Sequence, residues 1–121
     1  KYKNPRFASN LNDKYSQYAL GSIYIEGKYV MQDINKAIYL LSLSAMQNFA
    51  PAQNNLGFIF FESKYVRRDM NKAIHFLTLA ANQNYPLALH NLGIIYLKGE
   101  YVKQNIDFAM NCLTNASKKI L

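Results

Sequence analysis

Apolar residues along this chain recur at two nested intervals. The short interval is helical. Leu56, Ile59 and Phe60 fall at i, i+3 and i+4, and Ala73, Leu77, Ala80 and Ala81 at i, i+4, i+7 and i+8, the spacing that collects side chains on one stripe of a helix. The long interval is 36 residues. It separates Leu20-Gly21, Leu56-Gly57 and Leu92-Gly93, then Tyr29-Val30, Tyr65-Val66 and Tyr101-Val102, and again Ala37, Ala73 and Ala109. A period between about 20 and 50 residues marks stacked supersecondary units. The pattern predicts an all-α solenoid of three helix-loop-helix units over 13–48, 49–84 and 85–121, with six main helices and no β-sheet. Units of this kind touch only their neighbours and present an extended surface to a partner.

The unit boundaries carry chemical signals. Asp33 and Asp69 stand just before the second helix of their units, where a short carboxylate accepts a bond from an unpaired backbone N–H, and Asn105 holds that place in the third. Gly27 and Gly99 end the first helices, where a left-handed residue is wanted, and Asn48 and Asn84 close the second helices. Ser63 replaces glycine in unit two, at a cost of up to about 1 kcal/mol. Gly21, Gly57 and Gly93 lie mid-helix, where glycine is unfavourable by about 1 kcal/mol relative to alanine. Three such glycines imply a close helix–helix approach, with Ala37, Ala73 and Ala109 facing them. Tyr24, Phe60 and Tyr96, one turn on, fill the space beside the contact.

These residues resemble the SEL-one-like repeat (SLR), a relative of the tetratricopeptide repeat (TPR). The family pattern is roughly A-x-x-x-L-G-x-x-Y-x-x-G-x-x-V-x-x-D-x-x-K-A, followed by a small pair. Unit two supplies Ala52, Leu56, Gly57, Phe60, Val66, Asp69, Lys72, Ala73, Ala80 and Ala81. Unit one supplies Leu20, Gly21, Tyr24, Gly27, Val30, Asp33, Lys36 and Ala37, and unit three keeps the pattern but has Phe108 where lysine is expected. The residues added around Tyr29-Val30 favour this family over an ordinary TPR, whose period is about 34. The resemblance implies a superhelical α/α solenoid acting as a protein-interaction adaptor. It also allows the regulatory repeat segment of a larger signalling protein such as a kinase.

Residues 1–12 fit the repeat less well. Ala8-Ser9 and Asn12 match the end of a preceding unit, but Pro5 would break a long helix, so a short or irregular lead-in is expected. The chain starts at Lys1, which reads as a segment of a longer protein. With no following unit, the apolar end at Ile120-Leu121 would favour self-association through the last repeat.

Composition alters this picture little. Fourteen Lys and Arg against seven Asp and Glu give a net charge of +7, a balance that suits a solvated basic surface and also attracts acidic proteins, anionic membranes or nucleic acid. Cys112 is the single cysteine and aligns with Leu40 and Phe76, so it reads as a small core residue. A cytoplasmic setting fits best, since one cysteine makes no intramolecular disulfide. His75 and His90 share repeat positions with Tyr39, and with Tyr18 and Asn54, and read as partly exposed helix residues. No Cys pair, His-x-x-x-His spacing or Gly-rich phosphate loop is present. Glu26 and Glu62 are followed by Lys28 and Lys64, and unit three exchanges the signs as Lys98 and Glu100, which is charge balance at a loop edge. The reading is therefore non-catalytic, with no cofactor and no metal.

By the resemblance, the first helix of each unit lines the concave surface. The candidate partner-binding residues are Tyr18, Ser22 and Ile25 in unit one, Asn54, Phe58 and Phe61 in unit two, and His90, Ile94 and Leu97 in unit three. Phe58, Phe61, Ile94 and Leu97 would form an apolar strip, the kind of patch that marks an interaction site, or would pack against neighbouring helices instead. Asn55 and Asn91 stand open as peptide-backbone clamps or as bridges between helices. The alternative partner is RNA, which some helical arrays read one base per repeat. Against it, Lys28, Lys64, Arg67, Arg68 and Lys103 fall in loops, and only Lys98 among the basic residues falls on the expected groove.

Overall fold

The computed structural model describes residues 12–120. Among them it contains six helices and no strand: α1 (Lys14–Glu26), α2 (Ile34–Ala45), α3 (Ala50–Glu62), α4 (Met70–Ala81), α5 (Pro86–Lys98) and α6 (Ile106–Ile120). The lead-in expected over 1–12 lies, apart from Asn12, outside the described residues, and so do the side chains of Ile120 and Leu121.

Local chemistry sets each helix boundary. The side chains of Asp33, Asp69 and Asn105 accept bonds from the backbone N–H of Lys36, Lys72 and Phe108 at 3.0, 3.1 and 3.0 Å. Asp13 caps α1 in the same way, through Ser16. Helices α3 and α5 use no side-chain cap and carry a proline in the first turn, where its missing N–H costs nothing. Gly27 and Gly99 end α1 and α5 in the left-handed region, and Ser63 ends α3 there at φ 65° despite its Cβ. Asn48 and Asn84 take the same conformation after α2 and α4.

The loop between the helices of a unit folds back on its own first helix. The backbone N–H of Asp33, Asp69 and Asn105 donates to the carbonyls of Tyr24, Phe60 and Tyr96 at 3.1, 2.9 and 3.0 Å. One residue earlier, the side chains of Gln32, Arg68 and Gln104 donate to the carbonyls of Ile25, Phe61 and Leu97 at 2.8, 2.7 and 2.7 Å. The loop is thus an ordered strap, the same in all three units.

Each unit closes around its mid-helix glycine. A Cβ placed on Gly57 would lie 2.6 Å from Leu77 Cγ and 3.1 Å from the Ala73 carbonyl oxygen, and Gly21 and Gly93 meet Leu41 and Leu113 in the same way. Lys36 and Lys72 lay their ammonium groups over the rings of Tyr24 and Phe60 at 5.0 and 5.1 Å. In unit three Phe108 meets Tyr96 edge-on at 5.0 Å. The residue that departs from the family pattern therefore covers the same ring by an aromatic contact instead of a cation–π one.

Two core clusters form at the junctions between units. Leu41, Ala45, Leu56 and Ile59 join units one and two, while Leu77, Ala80, Leu92, Ile95 and Cys112 join two and three. Cys112 is 4% exposed, and burial pushes its thiol pKa up, as expected of a core residue. Within units one and two a buried glutamine accepts from an exposed one: Gln47 Nε2 donates to Gln17 Oε1 at 2.7 Å, and Gln83 Nε2 to Gln53 Oε1 at 2.8 Å. Unit three carries Leu89 at the Gln53 position. The outer face of α6 is bare. Ile106 and Met110 are 47% and 57% exposed, whereas Met70 and Ile74 at the same repeat positions pack into the junction core.

Candidate functional site: two clefts one period apart

Because each junction repeats the last, its surface features repeat too. A cleft of about 190 Å³ lies between α3 and α5, floored by Leu77 and Ile95 and walled by Phe58, Phe61, Ile94 and Tyr101. A second cleft, of about 310 Å³, lies between α1 and α3. Its Ile25, Leu41 and Asn55 stand where the first has Phe61, Leu77 and Asn91. Its Phe58, Ile59 and Tyr65 stand where the first has Ile94, Ile95 and Tyr101. The rim charges are exchanged, Glu62 and Lys64 against Lys98 and Glu100. Phe58 lines both clefts and is 43% exposed. It is the partition between them.

The nine candidate residues separate on this geometry. Phe58, Phe61, His90 and Ile94 come together around the α3–α5 cleft, and Ile25 walls the other. Phe61 is held edge-on to Tyr101 at 5.8 Å and packs against the junction core, so it is a fixed wall. Tyr18 is half-buried and meets Phe49 edge-on at 5.4 Å. Asn54 is turned inward, 6% exposed, and its Oδ1 accepts a bond from Asn91 Nδ2 at 3.2 Å. Asn91 thereby bridges α5 to α3 while still lining the cleft. Ser22 and Leu97 are half-buried on their helices and line neither cleft described here.

The structure adds residues that sequence reasoning left in the loops. Tyr65 and Tyr101 reach across to wall the clefts; their signal was the threefold Tyr-Val pair, whose role the sequence alone did not give. Arg68 is a loop residue, as its sequence position predicts. Its guanidinium carbon lies 4.3 Å from the Tyr101 ring centroid and 5.7 Å from that of Phe61. Chemically, the clefts offer apolar recesses with polar rims. Among the described residues no cluster of His, Cys, Asp and Glu could hold a metal ion, and no helix is long and apolar enough to cross a membrane.

Comparison with known proteins agrees with this architecture. The Sel1 repeat family matches residues 14–49, 50–85 and 86–119. Among solved structures, the chain is similar to a Sel1 repeat protein from Oxalobacter formigenes, with a TM-score of 0.82 and 26% identity over 94% of this chain and 87% of that one. It is also similar to c5321, a protective antigen present in uropathogenic Escherichia coli strains that displays an SLR fold. That match has a TM-score of 0.86 and 26% identity over 94% of this chain and 24% of the other. No curated protein sequence matches the chain.

Proposed function

From the premise that this chain belongs to the Sel1 repeat family, whose members are in general protein-interaction modules, we propose that it is a non-catalytic adaptor that binds an extended peptide segment across the faces of α1, α3 and α5. The observation that carries this reading is the pair of apolar clefts one repeat apart, sharing Phe58 as their common wall. An extended ligand crossing Phe58 would place one apolar side chain in each recess. An engineered cavity of roughly 150 Å³ lined by Leu, Ile and Phe suffices to hold a benzene ring, so the α3–α5 cleft has room for one aromatic or large aliphatic side chain. Interfaces of this type take most of their energy from a few buried anchors.

The test is selection of short peptides from a random displayed library, followed by calorimetric titration of the selected peptides. Phe58→Ala should weaken binding by about tenfold or more, since burying a large apolar side chain contributes roughly 1.5–3 kcal/mol. Its melting curve should change little, because Phe58 is 43% exposed. If the chain selects no peptide but binds single-stranded RNA with steep salt dependence, the RNA reading replaces this one.

We assign any self-association to a different surface, the outer face of α6, where Ile106 and Met110 are exposed at positions that pack into the junction core in unit two. A cytoplasmic setting remains our expectation, on the single buried thiol of Cys112.

A further inference from the structure

We infer that the α3–α5 cleft reads an acidic residue beside a bulky apolar one, so that the segment bound there carries Asp or Glu next to its anchor; this rests on the groove reading above. The argument starts from one repeat position. Gln32, Arg68 and Gln104 occupy it, and each donates to the last carbonyl but one of its first helix. Only unit two places a guanidinium there. Arg68 Nε is committed to the Phe61 carbonyl at 2.7 Å, and its plane rests near Tyr101 at 4.3 Å. Phe61 and Tyr101 are both walls of the cleft. The guanidinium is thus held against two of the cleft's walls by one hydrogen bond and one ring, with the remaining donors of its fork on the two Nη atoms.

An arginine ordered in advance loses less freedom on meeting a carboxylate, and its fork matches both carboxylate oxygens. The other charged groups on the rim leave this preference in place. Lys98 and Glu100 line the cleft together and offset each other, and His90 lies on the same wall. The α1–α3 cleft has Glu62 and Lys64 on its rim, and the uncharged Gln32 holds the position of Arg68. The acidic preference therefore belongs to one cleft of the two, and it orients the bound segment, acid towards α5.

The test uses the same displayed library on the wild type, Arg68→Gln, Arg67→Gln and Phe58→Ala. Arg68→Gln places in unit two the residue that units one and three already carry, so the bond to the Phe61 carbonyl should be kept while the charge and its contact with the Tyr101 ring are removed. Arg67→Gln makes the same change in net charge one residue away, on an exposed side chain. The wild type should enrich peptides with Asp or Glu next to a bulky apolar residue. Arg68→Gln should bind a selected peptide about tenfold more weakly and should no longer distinguish it from the version with Asn or Gln in place of the acid. Arg67→Gln should keep that distinction. If apolar anchors are enriched with no acidic neighbour, or if Arg68→Gln discriminates as well as the wild type, this inference is overturned and the groove reading stands. If nothing is enriched, or Phe58→Ala leaves the selection unchanged, both fall.

Discussion

Replacing Gly57 with alanine sets two effects of opposite sign against each other. Alanine in a helix interior is better than glycine by about 1 kcal/mol, so helix propensity alone predicts stabilisation. The packing predicts the reverse. The new Cβ would stand 2.6 Å from Leu77 Cγ, 2.9 Å from Leu77 Cδ2 and 3.1 Å from the Ala73 carbonyl oxygen. The first contact is with a branch point, not the free end of a flexible chain, and Leu77 is among the most deeply buried side chains of the molecule. The third is with backbone, so α4 must move away from α3. Overpacking of this kind costs about 1–3 kcal/mol, and the contacts with a buried branch point and with backbone place Gly57→Ala towards the upper end. After the propensity gain, a net loss of about 1–2 kcal/mol is expected.

The assay is urea unfolding followed by circular dichroism, since the chain has no tryptophan. A double-mutant cycle with Leu77→Ala isolates the cause. Leu77→Ala alone should cost about 2–5 kcal/mol. It also removes the two atoms nearest the new Cβ, so the pair should be less destabilised than the sum of the single variants. Gly57→Ala at or above wild-type stability, or strict additivity in the cycle, would refute the close-approach account. Because coupled repeats can unfold in more than one step, the comparison is made at the transition that melts units two and three.

Four further outcomes can be checked. Ser63→Gly should stabilise unit two by up to about 1 kcal/mol, by relieving a left-handed residue that carries a Cβ; a loss of stability in urea would contradict it. Gln53→Leu should cost about 1–3 kcal/mol, because Gln53 is 2% exposed and bonds Asn48, Gln83 and the Ala45 carbonyl; an unchanged midpoint in urea would contradict it. Cys112 should react with a thiol reagent only as fast as units two and three open, since it is buried and its pKa is raised; rapid labelling under native conditions would count against the core assignment. Ile106→Glu with Met110→Glu should abolish any concentration-dependent self-association seen by light scattering while leaving the fold intact, and unchanged association would move that contact off α6.

Repetition made the fold legible, because each signal arrived three times. A single Leu-Gly pair says little, but Leu20-Gly21, Leu56-Gly57 and Leu92-Gly93 at one spacing can be satisfied only by a packing that recurs. The same holds for the caps, where Asp33, Asp69 and Asn105 differ in charge but share an oxygen at the same reach. The substitution of Phe108 for the pattern's lysine looked like a departure, and became an equivalent only once the ring of Tyr96 was seen beneath it. Sequence position constrained helices well because their order is local. The partners of Leu41, Leu77 and Leu113 across the glycines were less legible, since periodicity names a face and not the atom that meets it.

The candidate site was legible only in outline, for a related reason. Period 36 assigns Phe58 and Ile94 to one repeat position, yet it cannot tell that Phe58 serves two clefts while Asn54, four residues earlier, is turned into the interior. Those differences arise between units, from which side chain on one first helix meets which on the next. Arg68 shows this most sharply. By charge and neighbours it belonged with Arg67 to a solvated loop, and by contacts it is tied to Phe61 and stacked on Tyr101, while Arg67 remains exposed. What separates the two is the strap that returns each loop to its own first helix: the residue at position 68 is always the one turned back to the carbonyl at position 61. In an array where every unit performs the same fold, selectivity must come from positions that the repeat holds in place and the sequence leaves free to vary. Gln32, Arg68 and Gln104 form such a set, held by one bond in all three units and charged in one.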